Sequence, residues 1–180
     1  MSNSRKTALC GVLSAFAAAL LLTSRAGLTV YTSPALAGLV IGVVALEIGG
    51  KWAFLCYFSV SLLSFFFAGV EGAVMFIAFF GYYPIVTLLL ERNRGRIFSR
   101  KWFRWSVKVL LFNTAVIAAY AFLSFVFGIK PEDYGKLGQY TAPILFAVGN
   151  VIFLLYDFAA RGLAPVYLKR ISPAVRRLFR

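Results

Sequence analysis

Residues 72–90 read GAVMFIAFFGYYPIVTLLL, and residues 91–105 continue as ERNRGRIFSRKWFRW. The first stretch is apolar over 19 residues, which at about 1.5 Å per residue crosses roughly 30 Å of hydrocarbon as a helix. The second stretch carries six Lys or Arg between positions 92 and 104 and a single acid, Glu91. Cationic segments of this kind stay on the cytoplasmic side during membrane insertion. The two stretches together therefore predict a membrane span and its direction.

The composition extends this interpretation to the whole chain. Of its 180 residues, 61% are hydrophobic and 14% are charged, whereas about 25% would be charged in a soluble domain. The mean hydropathy is +0.84. The net charge of +13 would suggest nucleic acid in a soluble protein. Here the cations cluster in particular loops, so we interpret them as topology signals and contacts to anionic lipid, with no nucleic-acid partner.

The apolar runs predict an all-α membrane protein, because lipid requires every backbone polar group to be satisfied within the segment. We expect one domain, residues 1–180, folded as a bundle of six transmembrane helices. The basic loop 91–104 and the basic tail 161–180 also carry aromatic side chains, and are expected to lie in the interface and to bind anionic headgroups. The predicted spans are residues 7–23, 34–48, 52–68, 72–90, 105–127 and 141–160.

The distribution of Lys and Arg predicts the orientation. With six spans and both termini in the cytoplasm, all but three of the 19 Lys and Arg residues fall inside. The three outside are Arg25, Lys130 and Lys136. This bias follows the positive-inside rule and predicts a multi-pass protein of the cell (plasma) membrane.

The residue inventory argues against catalysis. The chain contains no histidine, and its two cysteines, Cys10 and Cys56, lie within apolar runs. There is no nucleophile–base triad, no pair of catalytic carboxylates, no phosphate-binding loop and no cluster of metal ligands. We therefore expect no enzyme activity, no catalytic residue, no metal and no cofactor.

Small residues recur at intervals of three or four residues in the first two spans. Such a face allows another helix to approach closely, so that dispersion contacts replace lipid contacts. In the first span the face serves either internal packing or an external partner helix, and in the second span internal packing is favoured. The residues are Ala8, Gly11, Ala15 and Ala19 in the first span, and Gly38, Gly42, Ala45 and Gly49 in the second.

Few polar side chains lie inside the spans, so each one is informative. Asn113 and Asn150 must face the bundle interior, one another or a ligand, because lipid satisfies none of their hydrogen bonds. Asp157 lies near the inner end, where Arg161 or Lys108 could pair with it. Pro84 removes one backbone hydrogen bond and is expected to kink the fourth span near the membrane centre.

The arrangement of spans, charges and small residues in this chain resembles that of the substrate-binding S components of bacterial energy-coupling-factor transporters. The similarity covers most of the chain: its size, six spans, cytoplasmic termini, and a basic start leading into TALCGVLSAFAAA at 7–19. The resemblance implies a small-residue face on the first helix that meets a transmembrane coupling subunit, which is driven by separate ATPases. It also implies capture of a vitamin or a similar small nutrient on the outer side. The substrate-binding candidates that it suggests are Arg25, Tyr31, Glu71, Tyr82, Asn113, Tyr120, Tyr134, Gln139 and Asn150.

Two other functions fit the same hydropathy. One is a non-catalytic membrane scaffold of a cell-envelope or cell-shape machine, which predicts a stable partner and no small-molecule pocket. The other is a lipid-handling or channel-like protein, which requires a polar path across the membrane.

Overall fold

The computed structural model describes residues 3–26, 29–92, 101–128, 141–170 and 172–173. These residues are helical almost throughout and contain no strand, which confirms the all-α prediction for this part of the chain. A 3₁₀ turn, Thr23–Arg25, follows the first helix, and a π-helical turn, Phe76–Phe80, joins the fourth helix to the fifth. The helices are α1 (Asn3–Leu22), α2 (Thr32–Glu47), α3 (Gly50–Phe67), α4 (Val70–Met75), α5 (Tyr83–Arg92), α6 (Lys101–Phe127) and α7 (Thr141–Arg170).

Five helical segments are long and apolar enough to cross a membrane, which makes the chain a multi-pass membrane protein. They are α1 with its 3₁₀ turn, α3, the pair α4–α5, α6 and α7. The second predicted span, 34–48, corresponds to α2, an apolar helix of 16 residues that is not among these five. Ordinary transmembrane helices have about 17–25 residues, so α2 is slightly short and the count of six spans stays a prediction.

Two helices extend beyond the predicted spans on the basic side. Helix α6 begins at Lys101 rather than at 105, and α7 continues to Arg170 rather than ending at 160. Charged residues mark where a helix should leave the hydrocarbon, but Lys, Arg and Leu are good helix formers, so the helix itself continues. The segment 161–170, predicted as part of an interfacial tail, is thus a helical extension of the last span.

The broken segment α4–α5 lies at the centre of the fold. Half of its apolar window is buried, against 28% or less for each of the other four spanning segments. On one side, Phe76 and Ile85 pack into the core formed by α1, α2 and α3. On the other side, Phe79 and Tyr83 pack against rings of α6 and α7. The segment therefore joins two cores, and the contacts that stabilise the break between α4 and α5 affect both cores.

The outer surfaces of α3, α6 and α7 are apolar. Phe58 is 62% exposed, Phe125 91% and Phe158 74%. Soluble monomers rarely expose continuous apolar faces of this kind. The exposed rings therefore fit contact with lipid.

Candidate functional site

The break between α4 and α5 is built around Pro84, as the sequence predicts. The N–H of Gly81 donates to the carbonyl of Phe76 at 2.8 Å, five residues back, which defines the π-helical turn. Proline has no N–H, so Pro84 donates no hydrogen bond to the carbonyl of Phe80. Gly38 of α2 lies directly against that carbonyl, since a Cβ added at Gly38 would come within 2.1 Å of the oxygen. The close approach of α2 is possible only because residue 38 is glycine.

Helix α3 holds the other side of the break. The hydroxyl of Tyr57 donates to the carbonyl of Ile77 at 2.8 Å. Its ring lies on Gly81, where an added Cβ would come within 2.5 Å of the ring. One tyrosine thus satisfies a carbonyl of the π-helical turn and fills the space beside it. Turns of this type inside helices are frequent at functional sites.

Six aromatic rings surround the opposite side of the break. Phe112 of α6 and Phe153 of α7 stack with their centroids 4.6 Å apart and their planes 13° apart. Phe79 reaches both rings edge-on, at 5.0 and 5.8 Å. Tyr83, Phe80 and Tyr156 complete the cluster. The rings fix α6 and α7 to the broken segment.

Next to this cluster lies a buried group of charges. The side chain of Asp157 is 1% exposed, and its Oδ1 accepts from Nζ of Lys108 at 2.9 Å and from the hydroxyl of Tyr83 at 2.5 Å. Its Oδ2 pairs with Nη2 of Arg161 at 2.7 Å. Lys108, only 5% exposed, also contacts Oε1 of Glu91 at 3.4 Å. The predicted pairing of Asp157 with Arg161 or Lys108 is confirmed, with both partners bound at once.

The charges of this ion cluster balance, because Asp157 and Glu91 face Lys108 and Arg161. A buried ion is expensive to take out of water, and the loss of one partner leaves an uncompensated charge. Arg161 also lies over the ring of Trp105, with Cζ 5.7 Å from its centroid, which adds a cation–π contact. The ion cluster thus ties α5, α6 and α7 together at their basic ends.

Two of the predicted site residues meet inside the membrane region. The amide nitrogen of Asn150 donates to Oδ1 of Asn113 at 3.1 Å. Each amide nitrogen also donates to a carbonyl of its own helix, Asn113 to Val109 and Asn150 to Phe146. The pair therefore links α6 to α7.

Three candidates lie near the end of the bundle opposite the ion cluster. Arg25 is exposed, and its guanidinium donates to the carbonyl of Phe66 at 2.8 Å, which joins the end of α1 to α3. Tyr31, 57% exposed, precedes α2. Glu71 is half-buried in the first turn of α4, where the helix dipole favours a negative charge.

The remaining candidates are dispersed. Tyr82 is half-buried at the break and lines a cleft of about 450 Å³ beside Thr114 and Ala118 of α6. Tyr120 is 43% exposed on α6. Tyr134 and Gln139 lie outside the described residues. The described candidates do not converge on one pocket.

The predicted partner face of α1 points away from the bundle. Ala8, Gly11, Ala15 and Ala19 are all exposed, and a Cβ added at Gly11 would meet nothing within 4 Å. The buried face of α1 is formed by other residues, among them Ala17, Ala18 and Leu21. None of the four small residues is therefore buried by the described part of the chain.

Sequence reasoning missed part of the ion cluster. Tyr83 is not among the predicted site residues, yet it is 1% exposed and binds Asp157. For Lys108 the sequence predicts only a position on the inner side and one of two alternative pairings with Asp157. Its position seven residues into α6, facing the interior, is the signal that could have marked it, because an ionisable residue within a span is a functional-site hypothesis by default.

Comparison with protein-family models, with curated proteins and with solved structures found no match to this chain.

Proposed function

We propose that this protein is a non-catalytic membrane subunit of an importer of the energy-coupling-factor type. It docks through α1 to a transmembrane coupling subunit, and captures a vitamin or similar small nutrient on the outer side. The observation that carries the proposal is the outward position of the small-residue face of α1, formed by Ala8, Gly11, Ala15 and Ala19.

The physical argument concerns what such a face gains from a partner. Lipid tails are as apolar as leucine, so helices in a membrane associate through close packing rather than through the hydrophobic effect. A row of Ala and Gly lets a second backbone approach closely, whereas larger side chains keep it away. Since the described residues leave this row exposed, a helix of another protein is the occupant that fits it.

The proposal includes six spans with both termini in the cytoplasm. At about 1.5 Å per residue, the 16 residues of α2 cover roughly 24 Å. Local thinning of the bilayer accommodates a shortfall of this size at a small free-energy cost. Arg25, Tyr31 and Glu71 then lie on the outer side, where a nutrient would arrive.

The test is co-purification combined with ligand binding. Ala15→Leu should abolish assembly with a coupling subunit but leave ligand-induced thermal stabilisation unchanged. Ala121→Leu, an equally exposed change on α6, is the matched control and should assemble normally. Thermal shift against a panel of vitamins and nucleobases provides the second measurement. Absence of any binding ligand, together with absence of a co-purifying coupling subunit, would refute the proposal.

A membrane scaffold is the second candidate, and one specific observation favours it. The polar residues within α6 and α7 bind one another: Asn113 pairs with Asn150, and Lys108 and Arg161 pair with Asp157. A scaffold needs such cross-links and no ligand. It predicts a stable partner that is lost in Ala15→Leu, with no thermal shift from any small molecule.

A further inference from the structure

A lateral groove runs along α2 between α1 on one side and α5 and α7 on the other. Its volume is about 370 Å³, and it follows α2 from Leu36 to Leu46, which is roughly 15 Å at 1.5 Å per residue. Its walls are apolar except near the basic end of the bundle, where Glu91 and Arg161 contribute to the lining. We propose that this groove binds one acyl chain of a phospholipid, with the zwitterionic headgroup held between Arg161 and Glu91.

The dimensions of the groove select its occupant. A volume of 370 Å³ over this length leaves a mean cross-section of about 25 Å², a third of the roughly 80 Å² of an α-helix about 10 Å wide. A transmembrane helix is therefore too thick, whereas a single hydrocarbon chain fits. The length is also about half of the ~30 Å hydrocarbon core. One chain of one leaflet would thus fill the groove from the interface to the membrane centre.

The charges at the groove end select the headgroup. The side chains of Glu91 and Arg161 are 40% and 41% exposed, so both can reach a ligand while keeping their contacts to Lys108 and Asp157. A guanidinium has five N–H groups, and the contacts of Arg161 to Asp157 involve only Nη2 and Nε. Donors therefore remain for a phosphate oxygen. The carboxylate of Glu91 attracts an ammonium group and repels an additional anion, so phosphatidylethanolamine fits better than phosphatidylglycerol.

The experiment uses the full chain purified from membranes in mild detergent. Native mass spectrometry should show one retained phospholipid per chain, with phosphatidylethanolamine retained over phosphatidylglycerol when equal amounts of both are added. Ala164→Phe, which fills the groove, should lose most of this lipid. Ala159→Phe, an exposed change on the same helix outside the groove, should retain it. Glu91→Gln should remove the preference for phosphatidylethanolamine.

A second measurement needs no variant and covers the case in which Ala164→Phe fails to fold. Phosphatidylethanolamine with a photoreactive group in its acyl chain should label residues of α2 and α7 that line the groove. Labelling spread evenly over exposed apolar faces, such as that of Phe58 on α3, would overturn the proposal. Equal lipid retention in Ala164→Phe and Ala159→Phe would also overturn it, as would a cross-linked polypeptide in the groove instead of lipid.

Discussion

Helices α1 and α2 carry nearly the same pattern of small residues, and the fold uses the two patterns in opposite ways. On α2, Gly38 and Gly42 face inward, where an added Cβ would lie 2.1 Å from the Phe80 carbonyl oxygen and 2.9 Å from Pro84. On α1, Gly11 faces outward, with nothing within 4 Å of an added Cβ. The same spacing therefore marks an internal contact in one helix and an unused surface in its neighbour.

The difference shows what a small-residue pattern reports in a membrane protein. It indicates that another segment can approach the helix closely, but it does not identify that segment. The partner of α2 is the broken segment of the same chain. Pro84 cannot donate to the Phe80 carbonyl, and Gly38 lies directly against that carbonyl, where a Cβ would come within 2.1 Å of the oxygen. Among the described residues, no comparable feature lies against the face of α1, which is exposed.

The largest loss of stability is expected when the inward-facing Gly38 is enlarged. Gly38→Leu should destabilise the fold by more than about 4 kcal/mol, because the clash is with backbone and cannot be relieved by rotating a side chain. Fluorescence-detected size exclusion after heating in detergent would show little or no folded protein. A Gly38→Leu protein as stable as wild type would mean that α2 does not pack against the break.

The second change weakens the other side of the broken segment, where the ion cluster ties α5, α6 and α7 together. Lys108→Met keeps the length of the side chain but removes one of the two cations that Asp157 binds among the described residues, and should cost about 3 kcal/mol. Thermal unfolding in detergent measures this loss. Lys51→Met, at an exposed position, is the control and should be neutral.

Adding Asp157→Asn to Lys108→Met separates charge from packing. The double variant should recover part of the lost stability, because it removes a buried carboxylate that has lost one of its two cationic partners. Arg161, which is partly exposed, can then reach water. No recovery would indicate that Lys108 acts through packing alone.

A smaller effect is expected at the amide pair. Asn150→Leu removes the hydrogen bond to Asn113, and interhelical bonds of this kind in membranes contribute on average about 0.6 kcal/mol. Thermal unfolding should therefore shift only slightly. Ser59→Ala serves as the control, because the hydroxyl of Ser59 bonds only within its own helix. A large loss in Asn150→Leu alone would mean that the pair has a greater role in joining α6 to α7.

The smallest effect should come from the outward glycine and completes the comparison. Gly11→Ala should change stability by less than about 0.5 kcal/mol or increase it slightly, because the position is open and alanine is the better helix former. Differential scanning fluorimetry alongside Gly38→Ala gives the contrast directly. Equal destabilisation by both alanine variants would show that the two faces are not different.

Features that depend on chain chemistry alone could be predicted from the amino-acid sequence. Long apolar runs specify helices, because lipid offers no partner to an unpaired backbone. Pro84 specifies a break, because it lacks an N–H. The predicted pairing of Asp157 with Arg161 or Lys108 follows from the cost of an unpaired charge in this region.

Which face of each helix lies inside depends on how the helices pack in the folded chain. In a soluble protein the alternation of apolar and polar residues reveals the buried face, but here lipid and protein interior are equally apolar, so that signal is absent. For this reason the sequence left the role of Gly11 open, and it did not reveal the part of Tyr83 in the ion cluster or the groove beside α2. Each depends on how whole helices approach one another, which is set by the shape of the broken segment between them.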